Sequence, residues 1–252
     1  MPIRLPQFLR ARRPAMPDRV EIDGGSLPVT VRLNARARRL ILRLAPGGEG
    51  VVVTLPRGTA PAAVASFLER HRGWIEDRRS RLGGAIRVEP GAVLPFRGRA
   101  LQLVGDPAPR LLRLEEGEDG LLLRVGGEPQ RFARRVGDFL KREARRDLQA
   151  AVDRHAASVS LRPASLSLKD TKSRWGSCTS DRRLAFSWRI VMAPPFVLDY
   201  LAAHEVAHFV EMNHGPAFWA LCTRLCPRTQ EARAWLKREG AALHTVDFRP
   251  AP

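Results

Sequence analysis

The spacing of apolar and polar residues changes several times along the chain. Over residues 19–55 they alternate in short runs separated by Gly, Pro or Asn, a pattern typical of strands joined by tight turns. Over residues 61–81 the apolar residues recur every three or four positions, which predicts an amphipathic helix covering one face of a small antiparallel sheet. A second series of short runs over residues 86–125 predicts further strands.

The second half of the chain has mainly helical periodicity. Residues 130–157 predict a long helix with a charged exterior, and residues 195–212 predict a buried helix. Residues 217–226 and 230–243 predict two more helices, whose large apolar residues are expected to fill the domain core.

The change from strands to helices predicts two domains. A chain of 252 residues, of which 44% are hydrophobic, can bury the cores that two modest domains need. We place the boundary near residue 128, which makes residues 1–128 a β-rich region with one covering helix and residues 129–252 a mainly helical domain. The predicted fold class is α+β.

The buried helix contains a candidate metal-binding motif, His204-Glu205-Val206-Ala207-His208. Helix positions four residues apart lie about 40° apart around the axis, so both imidazoles can reach one ion. Glu205 then stands beside the first ligand, where its carboxylate is available to accept a proton. This is the arrangement that a zinc hydrolase requires.

A third histidine, His214, follows His208 by six residues. On a continuous helix it would be rotated by about 240°, so the helix must end between the two. Asn213 and Gly215-Pro216 are residues that tolerate such a turn. Three nitrogen ligands leave one coordination position open for water, which indicates a catalytic zinc site with one ion per chain.

Other polar residues have less specific interpretations. The histidine spacing equals that of metzincins, but Glu211 stands where that group has a glycine, so membership is doubtful. Glu211 is either a hydrogen-bond acceptor for a ligand imidazole or a surface carboxylate. We expect His71 to be a packing residue and His155 to be stabilised by the dipole of a helix C-terminus. Cys178 is not needed as a ligand.

Two stretches resemble the YgjP-like metallopeptidase family, a relative of the SprT-like and WLM zinc peptidases. They are KSRWGSC at residues 172–178 and the segment 193–219, which contains the histidine motif. An HRGWIE segment at residues 71–76 is similar to a helix of the family's strand-rich module. The resemblance implies a zincin-like domain over residues 129–252. It also implies one Zn²⁺ bound by His204, His208 and His214, with Glu205 as the catalytic glutamate.

The KSRWGSC segment has two interpretations. Arg174, Trp175, Gly176 and Ser177 would suit the edge of an active site that pairs with an extended substrate. The same residues would also suit a core tryptophan in a tight turn. Tyr200, four residues before the first histidine, either brings its hydroxyl near the metal or packs as a core aromatic.

Charge, cysteine content and the length of apolar runs bear on the protein's partners and its location in the cell. The net charge is +17, and only four of the 43 basic residues are lysines, so the charge serves nucleic acid or reflects an arginine-rich composition. Three cysteines form no disulfide framework. The basic N-terminus is interrupted by prolines, and no apolar run reaches about 18 residues. These features predict a cytoplasmic protein without a membrane partner.

The expected function is a zinc-dependent metallopeptidase acting on a peptide or protein. One alternative is a metal-dependent nucleotide pyrophosphatase, an activity that the resemblance also implies, although the chain has no P-loop and no carboxylate-rich magnesium site. Another is a DNA-associated protease of the SprT-like kind, with the basic N-terminal half as the binding module. The natural substrate and the oligomeric state are open.

Overall fold

A computed structural model describes residues 15–45, 48–80, 85–117 and 120–249. The contacts divide the chain into two compact units, which meet in sequence between residues 83 and 84. Most of the basic N-terminal segment interpreted above and the last residue of the predicted helix over residues 61–81 lie outside the described residues.

The first unit is a four-stranded sheet with two helices. Its strands follow the order β1-β2-β4-β3. Its elements are β1 (Arg19–Ile22), β2 (Gly25–Leu33), β3 (Ile41–Leu44), β4 (Val51–Leu55), α1 (Pro61–Arg70) and α2 (Arg72–Ser80).

The predicted covering helix is two helices. Val64 and Leu68 of α1 and Ile75 of α2 are buried in one core with the apolar residues of the sheet. The prediction of an antiparallel sheet was wrong in one respect, because β2 and β4 are parallel. The loop after β2 carries the chain to the far edge, where β3 forms, and β4 then returns between β2 and β3.

Within its described residues, the second unit contains three sheets and four α-helices. The sheets have the strand orders β6-β7-β9-β8, β10-β12-β11 and β13-β5. The elements are β5 (Ile86–Arg87), β6 (Val93–Phe96), β7 (Arg99–Asp106), β8 (Leu112–Gly117), β9 (Gly120–Gly126), α3 (Phe132–Ser158), β10 (Ser165–Lys169), β11 (Gly176–Cys178), β12 (Arg183–Ser187), α4 (Pro195–Ala207), α5 (Pro216–Leu225), α6 (Thr229–Glu239) and β13 (Val246–Asp247).

The strands before residue 128 share a core with the helices after it. Leu103 of β7 and Leu140 of α3 are fully buried in the same cluster. Arg97, between β6 and β7, donates two hydrogen bonds to Asp147 of α3, at 2.7 and 2.8 Å, and one to Glu143, at 2.9 Å. The boundary predicted near residue 128 therefore falls inside the second unit. The secondary structure changes there from strands to helices, but one hydrophobic core includes residues from both sides of this position.

Helix α4 lies within this core. It begins at Pro195 and ends at Ala207, five residues before the predicted end. Buried residues occur on all its sides, because it contacts α3, α5, α6 and β11. Within the described part of the chain, no helix has the length and hydropathy that a membrane span requires.

Candidate metal centre

Three histidine side chains converge where α4 ends. His204 is in the last turn of α4, His208 is its C-terminal cap, and His214 precedes α5. One ligand nitrogen from each lies within 4.8 Å of those of the other two. The Nε2 atoms of His204 and His214 are 3.1 Å apart, close to the roughly 3.3 Å expected for two nitrogens bound to one tetrahedral zinc ion. The three imidazoles therefore fit a metal.

The turn that follows α4 places His214 close to His204 and His208. The N–H groups of Val210 and Glu211 donate hydrogen bonds to the carbonyl of Ala207, at 3.1 and 3.0 Å. The N–H of Gly215 then donates to the carbonyl of Asn213 at 2.8 Å, and α5 begins at the next residue. The chain thus reverses between the second and third histidines, as their helical phase requires.

Two hydrogen-bond partners leave the Nε2 atoms free to face an ion. Nδ1 of His208 is 3.0 Å from the carbonyl oxygen of Glu211. Glu211 thus contacts His208 through its backbone carbonyl, whereas the sequence interpretation considered only the Glu211 carboxylate. The hydroxyl of Tyr200, a buried residue, is 3.3 Å from Nδ1 of His204. Such contacts fix the orientation of a ligand ring.

The imidazoles rest on a buried aromatic ring. The Phe218 ring centroid lies 5.0 Å from that of His204, 4.5 Å from that of His208 and 4.6 Å from that of His214. Phe218 is fully buried, so it supports all three rings from one side. The sequence analysis treated it as an ordinary core residue, and its place four residues after His214 is the only signal of this role.

Burial favours the neutral form of His204 and surrounds Glu205. Burial, with smaller contributions from the neighbouring histidines, lowers the pKa of His204 to about 4. A neutral imidazole is the form that binds metal. Glu205 is 3% exposed. Burial raises the pKa of its carboxyl group to about 8, against the opposing effect of the positive charge of Arg174.

Strand β11 contacts the glutamate directly. A Cβ atom on Gly176 would overlap the Glu205 carboxylate, because it would lie 2.8 Å from Cδ and 2.9 Å from Cγ. At position 176, only glycine leaves enough space for the Glu205 carboxylate. Strand β12 pairs with β11 on one side and with β10 on the other. Neither β10 nor β12 was predicted from the sequence.

The residues around Gly176 have different positions. Arg174 is exposed, and its charge acts on Glu205. Trp175 stacks on His244 at a centroid distance of 4.8 Å and contacts no histidine of the centre. Ser177 is in β11, where it pairs with Ala185 of β12. The sheet order leaves β11 at an edge.

Other candidate ligands lie outside the centre. Cys178 Sγ is 3.3 Å from the carbonyl of Thr179, and burial raises the pKa of its thiol to about 11, so the protonated form dominates at neutral pH. His71 packs on Phe67 in the first unit, as predicted. His155 is hydrogen-bonded to Asp199 at 2.8 Å, a partner on α4 that the helix-dipole interpretation did not include.

Comparison with known proteins gives one match. A family model described as "YgjP-like, metallopeptidase domain" matches residues 38–239. Neither the curated proteins nor the solved structures include a match to the chain.

The contact between Gly176 and Glu205 predicts a coupling between the two positions. Gly176→Ala should lower the free energy of unfolding by about 1–3 kcal/mol, because the new methyl group overlaps the carboxylate. Combined with Glu205→Asp, which shortens the side chain, the same change should cost clearly less. Denaturant unfolding of the four proteins measures this coupling, with Ser177→Ala as the control on the same strand. An equal cost in both backgrounds would show that β11 does not pack on the carboxylate.

The stack of Trp175 on His244 predicts an effect of pH on stability. Burial lowers the pKa of His244 to about 4, whereas an unfolded histidine titrates near ~6.5. Between these values the unfolded chain binds more protons, so stability falls as the pH falls through this window. His244→Gln should reduce the loss of Tm between about pH 7 and pH 4.5 by roughly 2–4 °C. An unchanged loss of Tm in the variant would contradict this burial.

Proposed function

The chain belongs to the YgjP-like metallopeptidase family, and from this membership we propose that it is a zinc-dependent peptidase with Glu205 as its general base. One observation carries the proposal: three imidazoles converge beside a buried carboxylate. Neither feature alone would suffice, because core histidines and buried glutamates occur separately in many folds.

Zinc is the metal that we propose for His204, His208 and His214. Imidazole ligands suit zinc and other transition metals and are poor ligands for magnesium or calcium. Three protein ligands are typical of a catalytic zinc site, since one position stays open. When bound, the ion supplies Lewis acidity, which polarises a carbonyl group and makes water acidic near neutral pH.

Glu205 performs the proton transfers in this proposal. It follows a ligand directly in sequence, and the contact with Gly176 limits where its carboxylate can lie. Burial alone raises the pKa of this carboxyl group to about 8, and a cation held by the neighbouring histidines would lower it and keep the carboxylate ionised. The carboxylate accepts a proton from the water that attacks the peptide carbonyl carbon, and it then delivers that proton to the leaving amine. Its burial keeps bulk water away from the carboxylate, which strengthens its interactions with charges that develop nearby.

We propose that the substrate is a peptide or protein segment in extended conformation, bound along β11. This strand is at the edge of its sheet and contacts α4, so a further strand can pair with its backbone. Arg174 and Ser177 would contact the substrate. Trp175 would act indirectly, by anchoring the strand through its stack on His244. Tyr200 would hold the ring of His204.

The pyrophosphatase alternative has less support. Hydrolysis of phosphate anhydrides generally uses magnesium, which requires oxygen ligands. Among the described residues, the three histidines are the only cluster of at least three His, Cys, Asp or Glu side chains positioned to bind a metal. An assay with nucleoside triphosphates, run beside a peptidase assay on unfolded proteins, separates the two activities.

The proposed ligand set predicts the effect of removing the third histidine. His214→Ala should weaken zinc binding by more than the ~10–100-fold that loss of an outer-shell partner costs. Elemental analysis and titration with a zinc chelator measure this effect. His71→Ala is the matched control, because His71 lies in the other unit and its removal should leave the zinc content unchanged. Unchanged affinity in His214→Ala would show that His214 is not a ligand.

The proposed role of Glu205 predicts a variant that binds metal and is inactive. Glu205→Gln keeps the size and hydrogen bonding of the side chain but removes the base. It should retain zinc and thermal stability and lose about 10²–10⁴-fold in hydrolysis. Zinc analysis and turnover on an unfolded protein check both parts. Full activity with bound zinc would exclude the general base, and loss of zinc would make Glu205 a ligand instead.

A further inference from the structure

Six arginines lie at one end, or on the adjoining face, of the sheet in the first unit. Strands β2 and β4 are parallel and finish at the same end, and β3 runs the opposite way and starts there. Three of the arginines are in the loop between β2 and β3, two are on these strands, and one follows β4. We call them the arginine patch: Arg32, Arg36, Arg38, Arg39, Arg43 and Arg57.

Backbone hydrogen bonds hold the loop of the patch against the sheet. The N–H of Asn34 donates to the carbonyl of Leu55, the last residue of β4, at 3.0 Å. The Asn34 side chain accepts a hydrogen bond from the N–H of Arg36 at 2.9 Å, and its carbonyl accepts one from Ala37 at 3.0 Å. These bonds keep the loop beside the segment that carries Arg57. The loop arginines and Arg57 therefore belong to backbone segments that are hydrogen-bonded to each other.

The charge of the patch is not neutralised by the carboxylates of the described residues. All six arginine side chains are exposed, and none forms an ion pair with a described carboxylate. The acidic residues of the unit lie elsewhere. They lie just before β1, on it and in the turn after it, before β4, and on the two helices: Asp18, Glu21, Asp23, Glu49, Glu69, Glu76 and Asp77. Several exposed arginines of the second unit differ, since Arg99, Arg113 and Arg131 each face a glutamate.

The face of the sheet that carries Arg32 and Arg43 is opposite the one buried against the helices. Arg32 pairs with Thr54, and Arg43 pairs with Val52, and both pairs alternate with the buried positions of β4. No aromatic residue belongs to these pairs or to the patch. Binding of single strands relies on aromatic rings that stack on bases, so this surface is suited to phosphates. Arginine binds phosphate with two parallel hydrogen bonds.

We propose that the arginine patch binds the phosphate backbone of double-stranded DNA without reading its base sequence. Six exposed cations, none of them paired with a described carboxylate, attract the phosphates of a duplex, and each phosphate contact releases a condensed counterion. The binding is independent of the peptidase centre, which is in the other unit. Loss of one function therefore leaves the other measurable.

The test measures affinity of the full chain for a 20-bp DNA duplex between 50 and 200 mM salt. If six phosphate contacts form, affinity should fall about 10³-fold over this range. The variant Arg36→Gln/Arg38→Gln/Arg39→Gln should bind more weakly, and its affinity should fall only about 40-fold, because three contacts remain. Fluorescence anisotropy gives both curves, and unchanged zinc content and Tm show that the variant is folded.

A second triple variant separates the patch from overall charge. Arg113→Gln/Arg131→Gln/Arg134→Gln removes the same charge from ion-paired, exposed positions of the second unit, and it should bind DNA like the unmodified protein. Equal weakening in both triple variants would overturn the proposal, since net charge alone would explain binding. Tighter binding to single-stranded DNA of equal length would also overturn it. So would binding to phosphatidylserine vesicles in the absence of duplex binding.

Discussion

The burial of α4 on all sides is the constraint on which the metal centre depends. Ala202, Ala203 and Ala207 are fully buried, and their small side chains let neighbouring elements approach the helix closely. This packing fixes the axial position and rotation of the helix, and so of His204 and Glu205 at its end. It also places polar groups in a poorly solvated environment, which carries a free-energy cost. In the proposed function, metal binding by the histidines would offset part of that cost.

Neighbouring residues of the KSRWGSC segment pack on different partners. Trp175 is directed to the C-terminal turn, where it stacks on His244 and lies near Gly240. Gly176, the next residue, is directed to Glu205. One position anchors the strand and the next leaves room for the carboxylate. The two interpretations of this segment are therefore compatible, because a packed tryptophan can directly precede the glycine that would belong to an active-site edge.

The sequence was informative where local periodicity decides the structure. The phase difference between His208 and His214 predicted a helix end before the third histidine, and α4 ends at Ala207, with His208 as its C-terminal cap. It was uninformative where distant segments meet. The pairing of β12 with both β10 and β11 and the contact of Phe218 with the histidines depend on tertiary packing. The boundary near residue 128 followed a change in periodicity, whereas Arg97 and the apolar strands join α3 across it.

The three histidines span only eleven consecutive residues, so a short chain segment carries the whole ligand set. Closing so short a loop costs little conformational entropy, and two of the ligands are already ordered by one helix. Gly176, which contacts Glu205, lies 28 residues before His204 in the sequence. This contact requires the sheet that contains β11 to form. The contacts that would bind the proposed ion are therefore closer in sequence than the contact that positions Glu205. During synthesis or after partial unfolding, the proposed ion could bind before the glutamate is positioned to act.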